Sequence, residues 1–415
     1  MCASAGPPQA PAPCCWVWRS SPPWPPHPRS SSTSTSKMNH RTGVSVFMVI
    51  AAAVLLAVPA SNLTQAATRT LSAQLIAQVD VKGLANQLFR SDQLEAWLAT
   101  AAWRAGISTH PDKVIVGYDG WLHLGDHYAS TLSVMRGERG SARQERAREL
   151  GRSLQRWQAW LRVQGVSSMH FMVGPNKQTI YPQTLPRWVR VNHPGFVPTL
   201  AREGGSIVLD LRPALQAAAA SHTQPLYYRT DTHWNQLGAA HAFVQLGRRM
   251  RELDGDLRLP IEAPLNVQRE QSRAGGDLAH FLRISHALRD KEIHLNLDRP
   301  ERYVSTVSDF DTRKPLFERR FAQVDFPAKT VHVRTPEAAN SRRVLWLRDS
   351  FGTKLSPFMA SAFEEIVQLH WHRGMENDAR LFKQLVRQWK PDAVVFTVVE
   401  RDALSGLFLA AAPFD

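Results

Sequence analysis

Five short apolar runs with helical stretches between them constrain the fold of this chain more than any other feature of its sequence. The runs cover residues 113–117, 169–173, 206–209, 344–347 and 393–399. Continuous apolar runs of this length are typical of strands that are buried on both faces, and parallel strands need crossovers between them. The sequence therefore predicts an α/β fold, with a parallel sheet that is covered by helices on both faces.

Helical patterning marks the segments that would cover this sheet. Residues 141–164 and 238–253 are predicted helices, and residues 68–105 form an amphipathic helical region. Residues 255–335 are less regular and carry charged loops. We expect this last region to be an insertion or a lid.

The N-terminal part of the chain differs from the rest in composition. Residues 1–37 are rich in Pro and Ser and show no periodicity, so we expect a disordered or spurious extension. Met38 then opens a positively charged segment that is followed by an apolar run at 44–60. This pattern predicts a signal peptide or an N-terminal membrane anchor over residues 38–67, and export of residues 68–415 as one domain.

Charge and cysteine content narrow the range of partners. The formal net charge of +14 favours anionic partners such as uronic-acid polymers or lipid head groups. The basic residues are scattered and form no run of the kind that nucleic-acid arms use, so we expect no nucleic-acid partner. All the cysteines lie within the first fifteen residues, so the rest of the chain has no thiolate nucleophile and no cysteine metal site.

Ser350 is the candidate nucleophile. It follows the apolar run 344–347, and Phe351 and Gly352 open a predicted helix. A serine between a strand end and a helix N-terminus lies close to unpaired backbone N–H groups and the positive end of the helix dipole, which favour a developing oxyanion. The alternative is that Asp349 or Ser350 only caps this helix, the commoner role of such residues.

Asp231 and His233 are the candidate acid and base. On an extended segment, residues two positions apart point to the same side, so the carboxylate can orient an imidazole that deprotonates a serine. One alternative is that Asp231 caps the following helix while His233 packs on it. Another is a metal site formed by Asp231, His233 and His241, although no known ligand spacing supports it.

A second group of candidates follows the strand predicted at 169–173, at what should be the same edge of the sheet. Asn176 is a candidate oxyanion donor, Lys177 a candidate contact for an anionic sugar, and Tyr181 a candidate wall of a substrate groove. The alternative is a proline turn with a solvated lysine and an ordinary packed ring. Arg401 follows the last strand and would face the site or form a surface ion pair.

Taken together, these segments resemble the alginate O-acetyltransferase family of the X and J type, whose catalytic domain is similar to SGNH hydrolases. The motifs are GYDGWLHLGD (117–126), VGPNKQTIYP (173–182), YYRTDTHWNQLGA (227–239), GGDLAHFL (275–282), RDSFG (348–352) and DAVVFTVVERD (392–402). In ordinary SGNH hydrolases the serine comes first, whereas here Asp231 and His233 precede Ser350. The resemblance therefore implies an SGNH-like sheet with a permuted order of catalytic motifs.

The resemblance also implies roles and partners. Ser350 would be acetylated, with His233 as its base and Asp231 as the residue that orients the base. The protein would acetylate hydroxyls of an exported, alginate-like polysaccharide in the periplasm, with a membrane-bound O-acyltransferase as acetyl donor and without a metal or cofactor. Arg348 stands where many SGNH enzymes have glycine. Because Arg348 is close to the nucleophile in the sequence, we count it among the candidate oxyanion and substrate-binding residues.

Two other functions stay open from the sequence. The same three residues would serve an esterase that removes acetyl groups from the polymer. A non-catalytic polysaccharide-binding scaffold subunit would keep the fold but separate His233 from Ser350. Because the sequence ends soon after its last predicted strand, we expect no C-terminal carbohydrate-binding module and a closer likeness to the anchored J type.

Overall fold

The computed structural model describes residues 40–412 except 65, 79, 138–139, 190, 192–194 and 326. The extension that the sequence predicts at 1–37 lies outside these residues. The chain divides into two compact units, Met1–Phe89 and Arg90–Asp415. The domain boundary that we placed before residue 68 stays a prediction.

The described residues of the first unit form three helices: α1 (His40–Leu63), α2 (Ala66–Ala77) and α3 (Val81–Leu88). Within α1, residues Val44–Leu63 have a mean hydropathy of 2.4 and are long and apolar enough to cross a membrane, by length and composition alone. A signal sequence and a membrane span both have these properties. The signal peptide or anchor over residues 38–67 therefore stays a prediction.

The second unit contains ten helices and all the strands of the described residues. The helices are α4 (Asp92–Arg104), α5 (Thr131–Met135), α6 (Gly140–Val163), α7 (Lys177–Ile180), α8 (Val197–Gly204), α9 (Arg212–Ser221), α10 (Gln236–Arg251), α11 (Asp277–Phe281), α12 (Gly352–Ala362) and α13 (Trp371–Trp389). The strands are β1 (Val114–Val116), β2 (Leu122–Leu124), β3 (Ser168–Gly174), β4 (Val208–Asp210), β5 (Val267–Ala274), β6 (Arg289–Leu295), β7 (Val304–Asp309), β8 (Pro315–Arg320), β9 (Val331–Arg334), β10 (Asn340–Arg348), β11 (Phe363–His370) and β12 (Ala393–Val399).

The main sheet has eight strands in the order β4-β3-β12-β10-β11-β9-β7-β8. The strands from β4 to β11 pair in parallel, and β9, β7 and β8 extend this part with antiparallel pairs. Helices surround the sheet, so the fold class is confirmed: a mixed α/β, SGNH hydrolase-like architecture with a mostly parallel sheet. The antiparallel extension was not predicted, because its strands are short and charged rather than continuously apolar.

The apolar run of β10 is continuous because both faces of this strand are buried. Val344 and Trp346 pack into a core with side chains from α10 and α12. Leu345 and Leu347 point to the opposite face and pack with side chains from α6 and α13. Alternate residues of a strand face opposite sides, so a strand that is covered on both faces needs apolar residues at every position.

The elements predicted from periodicity are largely confirmed, with two corrections. Helices α6 and α10 and strands β3, β10 and β12 match their predicted segments within a few residues. The segment 206–209 begins as a 3₁₀ turn, and its strand is Val208–Asp210. The run 113–117 forms β1, but β1 pairs with β2 in a separate two-stranded hairpin, because the turn Tyr118–Gly120 reverses the chain at once.

The parallel strands place their carboxyl ends at one edge of the sheet. Gly174 of β3 pairs with Val399 of β12, and Thr397 of β12 pairs with Arg348 of β10. The segments that follow these strands therefore lie next to each other, and they include Asn176 and Ser350. The region 255–335 holds the antiparallel pair β5–β6, α11, β7, β8 and β9, and its role as an insertion or lid stays a prediction.

Leu345 tests the two-sided burial of the sheet. Its side chain is fully buried, whereas Leu316 on β8 is 55% exposed. We expect Leu345→Ala to lower the free energy of unfolding by roughly 2–5 kcal/mol, since it removes packing and leaves a cavity. The matched variant Leu316→Ala should change it by about 0.5 kcal/mol or less. Urea unfolding measures both, and equal effects would contradict the burial of β10.

Candidate active site

Ser350 lies in the turn between β10 and α12. The carboxylate of the preceding residue, Asp349, accepts hydrogen bonds from the N–H of Phe351 at 2.9 Å and of Val399 at 2.7 Å. Asp349 therefore ties the turn to the end of β12. The Ser350 hydroxyl caps no helix and lies 2.8 Å from Nε2 of His233.

His233 and Asp231 lie on a loop that folds back on itself before α10. The N–H of Tyr228 donates to the carbonyl of His233, and the N–H of Asn235 donates to the carbonyl of Leu226. Asn235 caps α10, because its side chain accepts the N–H groups of Leu237 and Gly238. Asp231 is therefore not the helix cap that the alternative reading required.

The carboxylate of Asp231 holds the imidazole of His233 in one orientation. Its Oδ1 accepts the backbone N–H of His233 at 3.1 Å and lies 2.6 Å from Nδ1 of the ring. We assign the ring proton to Nδ1 because its partner is a carboxylate, which leaves Nε2 to accept the proton of Ser350. The structure thus brings Asp231, His233 and Ser350 into one chain of hydrogen bonds.

A second carboxylate, that of Asp277, reinforces the charge on this side of the ring. It accepts the backbone N–H of Thr232 at 2.7 Å and lies 3.6 Å from Nδ1 of His233. Burial by itself lowers the pKa of His233, but the hydrogen bond and charge of Asp231 and the charge of Asp277 outweigh burial and raise this pKa above its ordinary value. Burial opposes ionisation of Asp231 too, yet its bonds to His233 hold its pKa well below the usual range.

The donor atoms of Asp231, His233 and Asp277 lie within 4.8 Å of one another, as the ligands of a metal ion would. Both ring nitrogens of His233 already have partners, Asp231 at Nδ1 and Ser350 at Nε2. A cation bound at either nitrogen would break the chain of hydrogen bonds, so the donor set fits proton transfer better than metal binding. His241, the third ligand of the metal alternative, lies elsewhere, with its Nε2 3.0 Å from that of His222.

Ser350 opens into a pocket of about 280 Å³ whose polar lining was not predicted from the sequence. Glu292 is the centre of this lining: it accepts a hydrogen bond from the Tyr228 hydroxyl at 2.7 Å and pairs with Lys354 at 2.8 Å. Arg273 lies 3.8 Å from Glu292 and 3.6 Å from Asp231. Arg273, Glu292 and Lys354 come from β5, β6 and α12, and no single motif joins them in the sequence.

Gly276 allows Asp231 to approach α11. A methyl group at Gly276 would lie 2.3 Å from Oδ2 of Asp231. The N–H of Asp277 also donates to this oxygen, at 3.4 Å. The GGDLAHFL motif therefore has a steric and an electrostatic role beside the acid, which the sequence alone did not indicate.

Two of the accessory candidates have their polar groups occupied inside the protein. Lys177 is buried and donates to the backbone carbonyls of Tyr228, Arg229 and Asp231. All three of its N–H donors are used, so the ammonium is not available to an anionic sugar as we had expected. The Arg348 guanidinium is also fully buried, and all its hydrogen bonds go to groups inside the protein: Gln368 Oε1 and the carbonyls of Val324, Asp325 and Asp349.

The other accessory candidates also have internal contacts. The Tyr181 hydroxyl accepts the N–H of Leu226 at 2.8 Å, and its ring packs against Trp121, so it supports the loop rather than offering its hydroxyl to a substrate. The backbone N–H of Asn176 donates to Glu400, and its side-chain oxygen accepts from Arg401. The oxyanion role of Asn176 stays a prediction.

The backbone of the turn offers one donor for an oxyanion. The N–H groups of Phe351, Gly352 and Thr353 all donate to acceptors within the turn. Among the hydrogen bonds of the described residues, the N–H of Ser350 has no acceptor. This group lies on the reacting residue itself, at the positive end of the α12 dipole.

The fold and these contacts define an SGNH hydrolase-like protein with a serine, a histidine and an aspartate in contact. Residues 114–323 match the family model described as "SGNH hydrolase-like domain, acetyltransferase AlgX", so this chain belongs to that acetyltransferase family. The matched range includes Asp231 and His233 and ends before Ser350. No curated protein matches the chain in sequence.

Several solved structures are similar to this chain at low sequence identity. PatB1 from Bacillus cereus is 15% identical, with a TM-score of 0.52 over 72% of this chain and 99% of that one. A DHHW family protein from Eubacterium siraeum is 20% identical, with a TM-score of 0.46 over 63% of this chain and 87% of that one. The O-acetyltransferase domain of Pseudomonas putida AlgJ is 17% identical, with a TM-score of 0.41 over 71% and 92%.

Removing the charge of Asp231 tests the electrostatics of this site. We expect Asp231→Asn to lower the pKa of His233, because burial would then act on the ring with less compensation. Asp277→Asn should lower it by less, since Asp277 makes no hydrogen bond to the ring. An NMR titration of the histidine side chains measures both pKa values, and an unchanged His233 pKa in Asp231→Asn would contradict the contact.

Gly276→Ala tests the close approach of α11 to the acid. The added methyl group should displace the Asp231 carboxylate and lower the pKa of His233, and overpacking should cost roughly 1–3 kcal/mol of unfolding free energy. Gly255→Ala is the matched control, because a methyl group there meets nothing within 4 Å. The same NMR titration and urea unfolding compare the two variants; a pKa of His233 that stays at the wild-type value in Gly276→Ala would contradict this role.

Proposed function

We propose that this protein transfers acetyl groups through an acetyl-Ser350 intermediate to hydroxyls of an exported, alginate-like polysaccharide. The observation that carries the proposal is the contact chain from Asp231 through His233 to Ser350, at the mouth of a polar pocket. Membership of the acetyltransferase family supports the reaction type.

In the first step, Nε2 of His233 takes the proton of the Ser350 hydroxyl as Oγ attacks the carbonyl carbon of the acetyl donor. The bond between the acetyl carbon and the leaving oxygen of the donor breaks, and the imidazolium returns its proton to that oxygen. Asp231 stabilises the imidazolium without being protonated itself. The product is an acetyl ester of Ser350.

The second step runs the same chemistry with the acceptor. His233 takes the proton of a sugar hydroxyl, whose oxygen attacks the acetyl carbon. The ester bond to Ser350 breaks, and the proton returns to Oγ. In both steps the N–H of Ser350 and the positive end of the α12 dipole would stabilise the negative charge on the carbonyl oxygen. Asn176 would add a second donor after its side chain rotates toward Ser350.

The charged lining of the pocket supports a polar acceptor. Arg273 and Lys354 are each about a quarter to a third exposed and flank Glu292. Side chains of this kind bind hydroxyl and carboxylate groups of sugars by charge-assisted hydrogen bonds. The donor in this proposal is a membrane-bound O-acyltransferase, and the site of action is the periplasm; the apolar helix α1 is consistent with export or anchoring.

An acetylesterase is the second candidate function. The side chain of His233 is 25% exposed, so water can reach the base as well as a sugar can. The scaffold alternative gains no support from the geometry, because His233 and Ser350 are 2.8 Å apart rather than separated.

Trapping the intermediate tests the nucleophile. The full chain is incubated with a chromogenic acetyl ester, with and without alginate oligosaccharides, and mass spectrometry locates acetyl on protein and sugar. Ser350→Ala should lower the rate by on the order of 10⁴–10⁶ and abolish acetyl on the peptide that contains residue 350. A structure of PatB1 carries a sulfonyl adduct, and a sulfonyl fluoride would give an independent label for Ser350.

Ser221→Ala is the control for the loss of a hydroxyl, since Ser221 lies exposed at the end of α9. It should retain full activity. A Ser350→Ala protein with wild-type acetyl transfer would disprove the proposed nucleophile. Release of acetate without any acetyl gain on the oligosaccharide would favour the esterase.

A further inference from the structure

Lys177 is a fully buried cation directly beneath the loop that carries the acid and the base. Its Nζ donates to the carbonyls of Tyr228 at 3.1 Å, Arg229 at 2.9 Å and Asp231 at 2.7 Å. Its side chain is 2% exposed. An ammonium has three N–H donors and no acceptor, so these three carbonyls satisfy it completely.

The three acceptors belong to the segment that positions His233. One of them is the carbonyl of Asp231 itself, whose carboxylate holds the imidazole. Other hydrogen bonds also fix the segment: backbone bonds from Tyr228 to His233 and from Asn235 to Leu226, and bonds from the N–H groups of Arg229 and Thr230 to the carboxylate of Asp290. Lys177 therefore holds the turn at residues 228–231 by its carbonyls, and Asp290 holds it by its N–H groups.

We propose that Lys177 is a positioning residue of the Ser350 reaction: as an ammonium, it holds the loop in the conformation that presents His233 to Ser350. Lys177 contacts none of the reacting atoms and does not itself line the pocket, so it acts through the loop. The inference rests on the function proposed above.

The surroundings of Lys177 decide its charge state. Burial lowers the pKa of Lys177 to about 8, although the negative charges of Asp277, Asp231 and Asp290 oppose this shift. The other facing groups are the ring of Trp121 at 5.5 Å, Arg229 above the same ring, and His123. Burial and the charge of Lys177 lower the pKa of His123, so it is neutral in this range.

Loss of the proton would change the hydrogen bonds of the loop. A neutral amine has two N–H donors and a lone pair, so one of the three carbonyls would face the lone pair and lose its donor. The loop should therefore loosen as pH rises through about 8, the pKa of Lys177. The tyrosines beside it do not titrate there, because burial raises the pKa values of Tyr181, Tyr227 and Tyr228.

Two limbs of the pH–rate profile would then have separate origins. The rate rises with pH as His233 loses its proton, with a pKa above the ordinary histidine value. It falls again as Lys177 loses its proton. A lysine that only filled space would leave the alkaline limb unchanged, so this limb distinguishes positioning from packing.

The test compares Lys177→Met, which keeps an unbranched side chain one atom shorter and removes the donors, with Lys314→Met at an exposed position on the surface. Hydrogen exchange of the segment 226–236 reports on the loop without any need for catalysis. In Lys177→Met we expect exchange of this segment to accelerate by about tenfold or more. The kcat for the acetyl ester should fall by on the order of 10²-fold with little change in KM, and the alkaline limb should disappear. Lys314→Met should match the wild type in all three measurements.

Wild-type loop exchange and an unchanged alkaline limb in Lys177→Met would overturn the proposal. If this variant does not fold, the wild-type protein decides. Protection of the segment 226–236, corrected for the intrinsic pH dependence of exchange, should fall as pH passes about 8, the pKa of Lys177. Constant protection up to pH about 10, near the ordinary lysine pKa, would overturn it. If Ser350→Ala retains full activity, the proposed function is wrong. The hydrogen exchange rate of the segment 226–236 then tests by itself whether Lys177 holds the loop.

Discussion

The hydrogen bond between Nε2 of His233 and Oγ of Ser350 is the contact on which the proposed chemistry depends, and it joins residues 117 positions apart. A parallel link runs from the indole of Trp234 to the carbonyl of Phe351 at 2.9 Å. Gly174 lets these segments meet, because a methyl group there would lie 3.0 Å from Phe351 and 3.2 Å from Trp234. The two segments therefore come together at the carboxyl edge of the parallel sheet. The packing of Trp234, Phe351 and Gly174 sets the distance between them.

Buried charge surrounds this contact and gives the loop its shape. The carboxylate of Asp231 contacts the imidazole of His233, and the backbone carbonyl of Asp231 accepts a hydrogen bond from Lys177. Asp231 therefore connects the base to the buried cation. Asp277 adds negative charge 3.6 Å from the ring, and Arg273 adds positive charge on the opposite oxygen of Asp231. Burying such charges is costly unless each finds partners, which is why the loop has so many hydrogen bonds for its length.

Much of the fold followed from local patterns. Strands β3, β10 and β12 could be predicted from their apolar runs, because strands that are buried on both faces are apolar at nearly every position. The antiparallel strands β7 and β8 were missed because exposed residues alternate with few apolar ones. The hairpin position of β1 was also missed, since an apolar run specifies a strand but not its neighbour.

The sequence by itself determined the types of residues at the site and their local positions: a serine after a buried strand, and an aspartate two residues before a histidine. These depend on short-range geometry, which local patterns encode. Only the tertiary structure decided which polar groups are free to act. Lys177, Tyr181 and Arg348 were candidates for substrate contact, and each has its donors or hydroxyl occupied inside the protein. Asp277, Arg273, Glu292 and Lys354 came to the site from four other elements. The reason is physical: the fate of a polar side chain depends on which distant carbonyls and carboxylates the fold brings within hydrogen-bond distance.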